Sequence, residues 1–112
     1  MYQTLSVYSI PEGTDPEEFW KYHTEIHAVD VANACRPLLK RYVIKRLKTV
    51  IRGKPKWFGC VEMWWDSEED RVKAFEHADT IITASGKNIG EDFASRVTFE
   101  WYVSVEEKEI PL

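Results

Sequence analysis

The chain has 112 residues, 44% of them hydrophobic and 30% charged, with a formal net charge of -4. That length supports one domain with one modest core and is too short for two, and the negative balance argues against a nucleic-acid partner, which needs a positive surface against phosphate. Five each of Trp, Tyr and Phe are more than one small core takes up, so some should line a pocket or a subunit interface.

Residues 2 to 10 alternate, Leu5 and Val7 on one side and Tyr2, Thr4, Ser6 and Tyr8 on the other, the period-two pattern of a strand. Met1-Tyr2-Gln3-Thr4 is not the basic start of a signal peptide, and no segment approaches the length of a membrane span, so a cytoplasmic protein with no membrane partner is expected. Pro11-Glu12-Gly13 ends the strand. Asp15 is placed as a helix N-cap, with Pro16 at the first helical position and Glu18 three residues after the cap. This first helix should run from Pro16 to about Asn33, since Pro37 forbids much continuation.

Projected at about 100° per residue, Phe19, Tyr22, Ile26 and Val29 form an apolar band expected to be buried. His23, His27 and Asp30 run beside it. A carboxylate near a buried stripe is costly unless paired, and His27, three residues earlier, is its expected partner.

A second strand is expected from Lys40 to Val50, with Val43 and Leu47 on one side and Tyr42, Ile44, Arg46 and Lys48 on the other. The basic residues between Lys40 and Lys56 read as a solvated hairpin, turned at Arg52-Gly53-Lys54-Pro55. The third strand, Lys56 to Trp65, is apolar on both faces, with Val61 and Met63 opposite Phe58, Cys60 and Trp64, and so belongs in the middle of the sheet. Cys35 and Cys60 have neither metal-ligand spacing nor a disulfide pattern and read as free buried thiols.

Ser67 caps a second helix whose buried stripe is Val72, Phe75, Ala78 and Ile82, closed by Gly86. Residues 86 to 96 read as irregular, with one turn of helix near Glu91-Asp92-Phe93. Gly86 and Gly90 lack the Lys-Ser/Thr of a phosphate cradle. The last strand, Val97 to Val105, carries Val97, Phe99, Trp101 and Val103 on one side and Thr98, Glu100 and Tyr102 on the other, before an acidic, solvated tail.

The order strand, helix, strand, strand, helix, strand is the ferredoxin-like βαββαβ plan: an α+β fold, one domain over residues 1–112, with both helices on one face of a four-stranded antiparallel sheet. The other face is expected to present Tyr42, Ile44, Arg46, Phe58, Trp64, Glu100 and Tyr102. So aromatic a surface calls for a second subunit laid against it.

Three stretches carry a family resemblance: Glu18-Phe19-Trp20-Lys21-Tyr22-His23-Thr24-Glu25-Ile26-His27-Ala28, Pro37-Leu38-Leu39-Lys40-Arg41-Tyr42-Val43, and Glu62-Met63-Trp64-Trp65-Asp66-Ser67-Glu68-Glu69-Asp70. Together they resemble the motifs of EthD-type dimeric α+β barrel proteins, over nearly the whole chain and in order. Methylmuconolactone methylisomerase and polyketide tailoring cyclases and dehydratases are relatives of that kind. The resemblance implies a homodimer whose two sheets close into a barrel, with a small-molecule pocket between sheet and helices in each protomer. It carries over His27 and Tyr42. His23 stands where the family pattern has an aromatic residue.

An imidazole beside a carboxylate moves protons between carbons or onto a leaving oxygen. The expected activity is therefore cofactor-independent acid/base chemistry (isomerase, cyclase, lyase or dehydratase) on a small cyclic or aromatic carbonyl compound, such as a lactone or a polyketide-like phenol. In that scheme His27 moves the proton, Asp30 fixes its tautomer, and His23 or Tyr42 hydrogen-bonds the developing oxyanion. Trp101, Met63 and Trp65 form apolar walls. The competing readings are a core histidine at position 27, cofactor-free oxygenation of a phenol, a non-catalytic binding dimer, and haem held by His23 and His27. His-x-x-x-His followed by Asp30 could also hold zinc, but the chain offers no obvious further ligand and no metal is expected.

Overall fold

The computed structural model describes all residues, 1–112. Its first strand, β1 (Tyr2–Ser9), is central, bonded on one side to β3 (Gly59–Trp65) and on the other to β4 (Thr98–Tyr102), with β2 (Leu39–Arg46) outside β3. Every pairing is antiparallel and the order is β2-β3-β1-β4, the α+β, ferredoxin-like arrangement that the sequence predicts. No helix is long and apolar enough to cross a membrane.

Gly13, at φ 88°, makes the turn out of β1 that a side chain would resist. Asp15 then accepts the Glu18 amide at 2.9 Å, and Pro16 opens α1 (Pro16–Tyr22). The helix does not continue as a simple α-helix to Asn33. It passes through a π-turn (His23–His27), in which the Ala28 amide reaches back five residues to the His23 carbonyl, and resumes as α2 (Ala28–Cys35).

This wide turn changes which residues face inward. Phe19, His23, Val31 and Cys35 are buried and His27 is half-buried between them, so the inward positions fall four apart. In a regular helix such steps drift by about 40° each, and the extra residue of a π-turn absorbs part of that drift. The expected apolar band is displaced in consequence: Ile26 is 56% exposed and Val29 48%.

Ser67 caps α3 (Glu68–Ala78) by accepting the Asp70 amide. The helix stops at Ala78, well before Gly86, so of the expected stripe Ala78 is buried while Ile82 lies outside the helix and exposed. The turn expected near Asp92 is a full short helix, α4 (Ile89–Ala94), capped by the Asn88 side chain on the Glu91 amide.

Val31, Ala34 and Cys35 of α2 meet Ala74 and Ala78 of α3, Ile89 of α4, and Met63 and Trp65 of β3 in the main core. A second, aromatic cluster joins Tyr8, Phe19, His23, Phe58 and Phe93.

The register corrects the expected open face. Tyr42 pairs with Met63 and Ile44 with Val61, both on the side covered by helices. Arg46 reaches Glu17 of α1 at 2.9 Å, and Phe58 packs on Tyr8 and Phe19. These four belong to the covered side. The open face carries Leu5, Val7, Val43, Cys60, Trp64, Glu100 and Tyr102, with Glu62 paired to Lys45 at 2.7 Å. Trp64, Glu100 and Tyr102 are where the alternation puts them.

Candidate active site

A cavity of about 400 Å3 lies between the covered face of the sheet and the helices. Its floor is Thr4, Ser6, Tyr42, Val61 and Met63; His23, His27 and Val31 form one wall, α3 and Phe93 of α4 the others. Val72, Phe99 and Trp101 line it and are 39%, 44% and 41% exposed, so they form its rim.

His27 stacks on Phe93, with ring centroids 4.2 Å apart and planes 19° off parallel, and Tyr22 lies 6.3 Å away on a near-parallel plane. Burial pushes its pKa down to about 3, with His23 adding to the effect and Asp92 opposing it. At neutral pH the ring is uncharged.

His23 is fully buried, its centroid 5.6 Å from that of His27. Its Nδ1 lies 2.7 Å from the Tyr8 hydroxyl, and its Nε2 is buried with no partner. The hydroxyl has no other acceptor within reach. If it donates to Nδ1, the ring proton sits on Nε2 and one group is left unmet; the opposite tautomer leaves both Nε2 and the phenolic hydrogen unmet. The first arrangement is the less costly, and it gives a ring on the cavity wall one spare donor. Burial lowers its pKa to about 4, so this ring too is neutral.

Asp30 is not the carboxylate of this site. It is half-exposed, lies outside the cavity lining and makes no hydrogen bond or ion pair with His27. The π-turn brings His23 and His27 onto the inward side and leaves Asp30 off it. The acidic group near His27 is Asp92 of α4, 6% exposed, which accepts from the Tyr22 hydroxyl at 2.6 Å and from Arg96 at 3.4 Å. Burial alone would raise the Asp92 carboxyl, but donation from Tyr22 and the Arg96 guanidinium outweigh it and hold the pKa below the ordinary value.

Nothing in the sequence period marks Asp92, which comes from a six-residue helix about 60 residues further on; only the Asn88 cap three residues before Glu91 hints that a helix is there. Tyr42 lines the floor with its hydroxyl unpaired, and burial raises its pKa. Met63 and Trp101 both line the cavity, Met63 in its floor and Trp101 at its rim. Trp65 is not: it is fully buried in the core against Phe75, away from the cavity. No three His, Cys, Asp or Glu side chains converge as a metal-holding set, His23, His27 and Asp30 included.

Neither a family model nor a curated protein sequence matches the chain. Solved structures do resemble it. An EthD-family protein from Bacillus halodurans superposes with a TM-score of 0.67 at 23% identity, over 96% of this chain and 99% of the other. A dimeric ferredoxin-like protein from an uncultured marine organism gives 0.65 at 16% identity, with each chain fully covered. SnoaB, a cofactor-independent oxygenase from Streptomyces nogalater, gives 0.61 at 13%, over 98% and 96%. The fold of the chain is therefore the ferredoxin-like α+β fold found in EthD-family proteins, as its motifs imply.

Proposed function

We propose that the chain is a cofactor-independent acid/base enzyme, an isomerase, cyclase, lyase or dehydratase, acting on a small cyclic or aromatic carbonyl compound such as a lactone or polyketide-like phenol. The observation that carries the reading is His27: a neutral imidazole, stacked on Phe93 and backed by a buried carboxylate, at the wall of an aromatic cavity of about 400 Å3. A neutral imidazole has a free lone pair and can take a proton from an acidic C–H or phenolic O–H. The ring binds protons weakly while the cavity is empty. An enolate or phenolate formed at its edge would raise its affinity for the proton by Coulomb attraction, strongly so in a dry site, and Asp92 acts in the same direction.

The spare donor of His23 and the hydroxyl of Tyr42 are suited to the oxygen on which that charge develops. His27 then returns the proton to another carbon, or to a departing oxygen. The working form is a cytoplasmic homodimer through the open sheet face, where Leu5, Val7, Val43 and Trp64 await cover.

Deuterium exchange into candidate lactones and cyclic ketones, followed by NMR, tests the proposal. Wild type should exchange protons and His27→Ala should not; equal exchange by both removes His27 from the reaction. The aromatic cavity and the likeness to SnoaB also support a second reading, in which the same deprotonation yields a phenolate that reacts with oxygen. Oxygen uptake with an anthrone-like phenol separates the two. Tight binding that survives His27→Ala, with no turnover by wild type, would mark a non-catalytic binding dimer.

A further inference from the structure

One cationic side chain of the cavity lining is unused by this chemistry. Arg71 lies in the first turns of α3 with its side chain only 13% exposed. It lines the cavity, packed 5.4 Å from the Trp101 ring centroid and 5.9 Å from that of Tyr2. Its Nε is buried and meets no acceptor. Its one polar contact is a long one, Nη2 to Glu68 Oε1 at 3.4 Å, and Glu68 is itself two-thirds exposed.

A guanidinium has five donors in a fixed fork, matched to the two oxygens of a carboxylate. Here most of that capacity is unspent, on a group largely withdrawn from water, where unmet donors are costly. The aromatic rings beneath hold the plane and keep the fork from collapsing onto the protein. The cavity's acidic residues, Glu76 of the same helix and Asp79 just past its end, are exposed and can turn to bulk water.

We propose that Arg71 anchors a carboxylate of the ligand at the rim of the cavity, so that the compound taken up is an organic acid: a cyclic or aromatic body against the cavity walls, with its carboxylate on the guanidinium. This rests on the small-molecule reading of the cavity and narrows the substrate class within it. It does not require His27 to move a proton.

The test is binding of a matched pair to the full-length protein, 2-naphthoate and its neutral isostere 2-naphthamide, followed by tryptophan fluorescence. Wild type should bind the acid about tenfold more tightly, the scale of one charge-assisted, two-point contact. Arg71→Gln should abolish that preference by weakening the acid much more than the amide. Arg71→Lys, which keeps the charge and the packing stem, should retain part of it and serves if the glutamine variant does not fold. Equal affinity of wild type for the two probes, binding of neither at millimolar concentration, or a preference that survives Arg71→Gln overturns the proposal. A purely packing role for Arg71 would shift both probes together, which also overturns it. His27→Ala should keep the full preference, so failure of the proton-transfer reading and failure of this one give different results.

Discussion

Replacing His23 by Phe should remove a defined part of the protein's acid sensitivity. In the unfolded chain the ring takes a proton below about pH 6.5, whereas in the fold burial delays this to about pH 4. The unfolded state therefore binds more protons in that window. The contribution of the buried neutral ring to stability is complete above about pH 6.5 and is lost as pH falls toward about 4. At about 1.36 kcal/mol per pKa unit, the loss between pH 7.5 and pH 5 comes to about 2 kcal/mol.

Phenylalanine fills the same space, between Tyr8, Phe19 and Phe93, and cannot take a proton. It also leaves the Tyr8 hydroxyl without its partner, at a cost of about 1 kcal/mol that does not vary over this pH range. Urea unfolding at several pH values and one fixed protein concentration measures both. The variant should start about 1 kcal/mol lower at pH 7.5 and fall less steeply, so that the two curves cross at about pH 6 and the variant is the more stable by about 1 kcal/mol at pH 5. What remains of its slope belongs largely to His27, whose pKa is lowered to about 3. Midpoints that fall in parallel would show that the ring is not held neutral in the fold, and would refute the argument.

Tyr22→Phe removes the 2.6 Å hydrogen bond to Asp92 and should cost about 2 kcal/mol at neutral pH, as expected for a buried charged acceptor; in an NMR titration the Asp92 carboxyl should move up toward its ordinary range. Gly59→Ala would put a Cβ 2.5 Å from the Lys45 carbonyl and 2.9 Å from the Tyr8 hydroxyl, closer than either contact allows. A loss of about 3 kcal/mol follows from such overpacking, and a melting temperature within about 2 °C of wild type would contradict it. Trp64→Glu places a charge in the middle of the open face and should turn the proposed dimer into a monomer in sedimentation experiments, with no change in the circular dichroism spectrum; undiminished association would exclude that face as the interface.

Local rules carried much of the fold. Asp15 with Pro16, and Ser67 with Asp70, mark helix starts by chemistry that operates within four residues, and the strands announce themselves by alternation. Misreadings arise where a local pattern leaves the geometry open. The ladder of β2 is regular from Arg41 to Arg46, so alternation correctly divides Tyr42, Ile44 and Arg46 from Val43, but it does not tell which of the two sets the helices cover. The inward face of the first helix differs from its apolar band because no residue type signals a π-turn.

The site divides in the same way. His23, His27, Tyr42, Met63 and Trp101 could be found from periodicity and motif, whereas Asp92 and Arg71 reach the cavity from elements remote in sequence. Asp30 joins the histidines only if the helix is unbroken, which the π-turn prevents. Trp65 reads as a wall in the sequence because bulk and hydrophobicity look the same in a core as in a pocket.

The wide turn at His23–His27 has a consequence for how this protein tolerates change. Pro16–Tyr22 and Ala28–Cys35 are phased to one another by the number of residues between them. Removing any one of those residues would tighten the coil to its ordinary pitch and swing the first segment by about 100° relative to the second. Phe19 would leave its aromatic neighbours, and Glu17 would part from Arg46. Each residue of this segment can be replaced singly at a cost set by its own contacts, but a change in length would misalign everything before it.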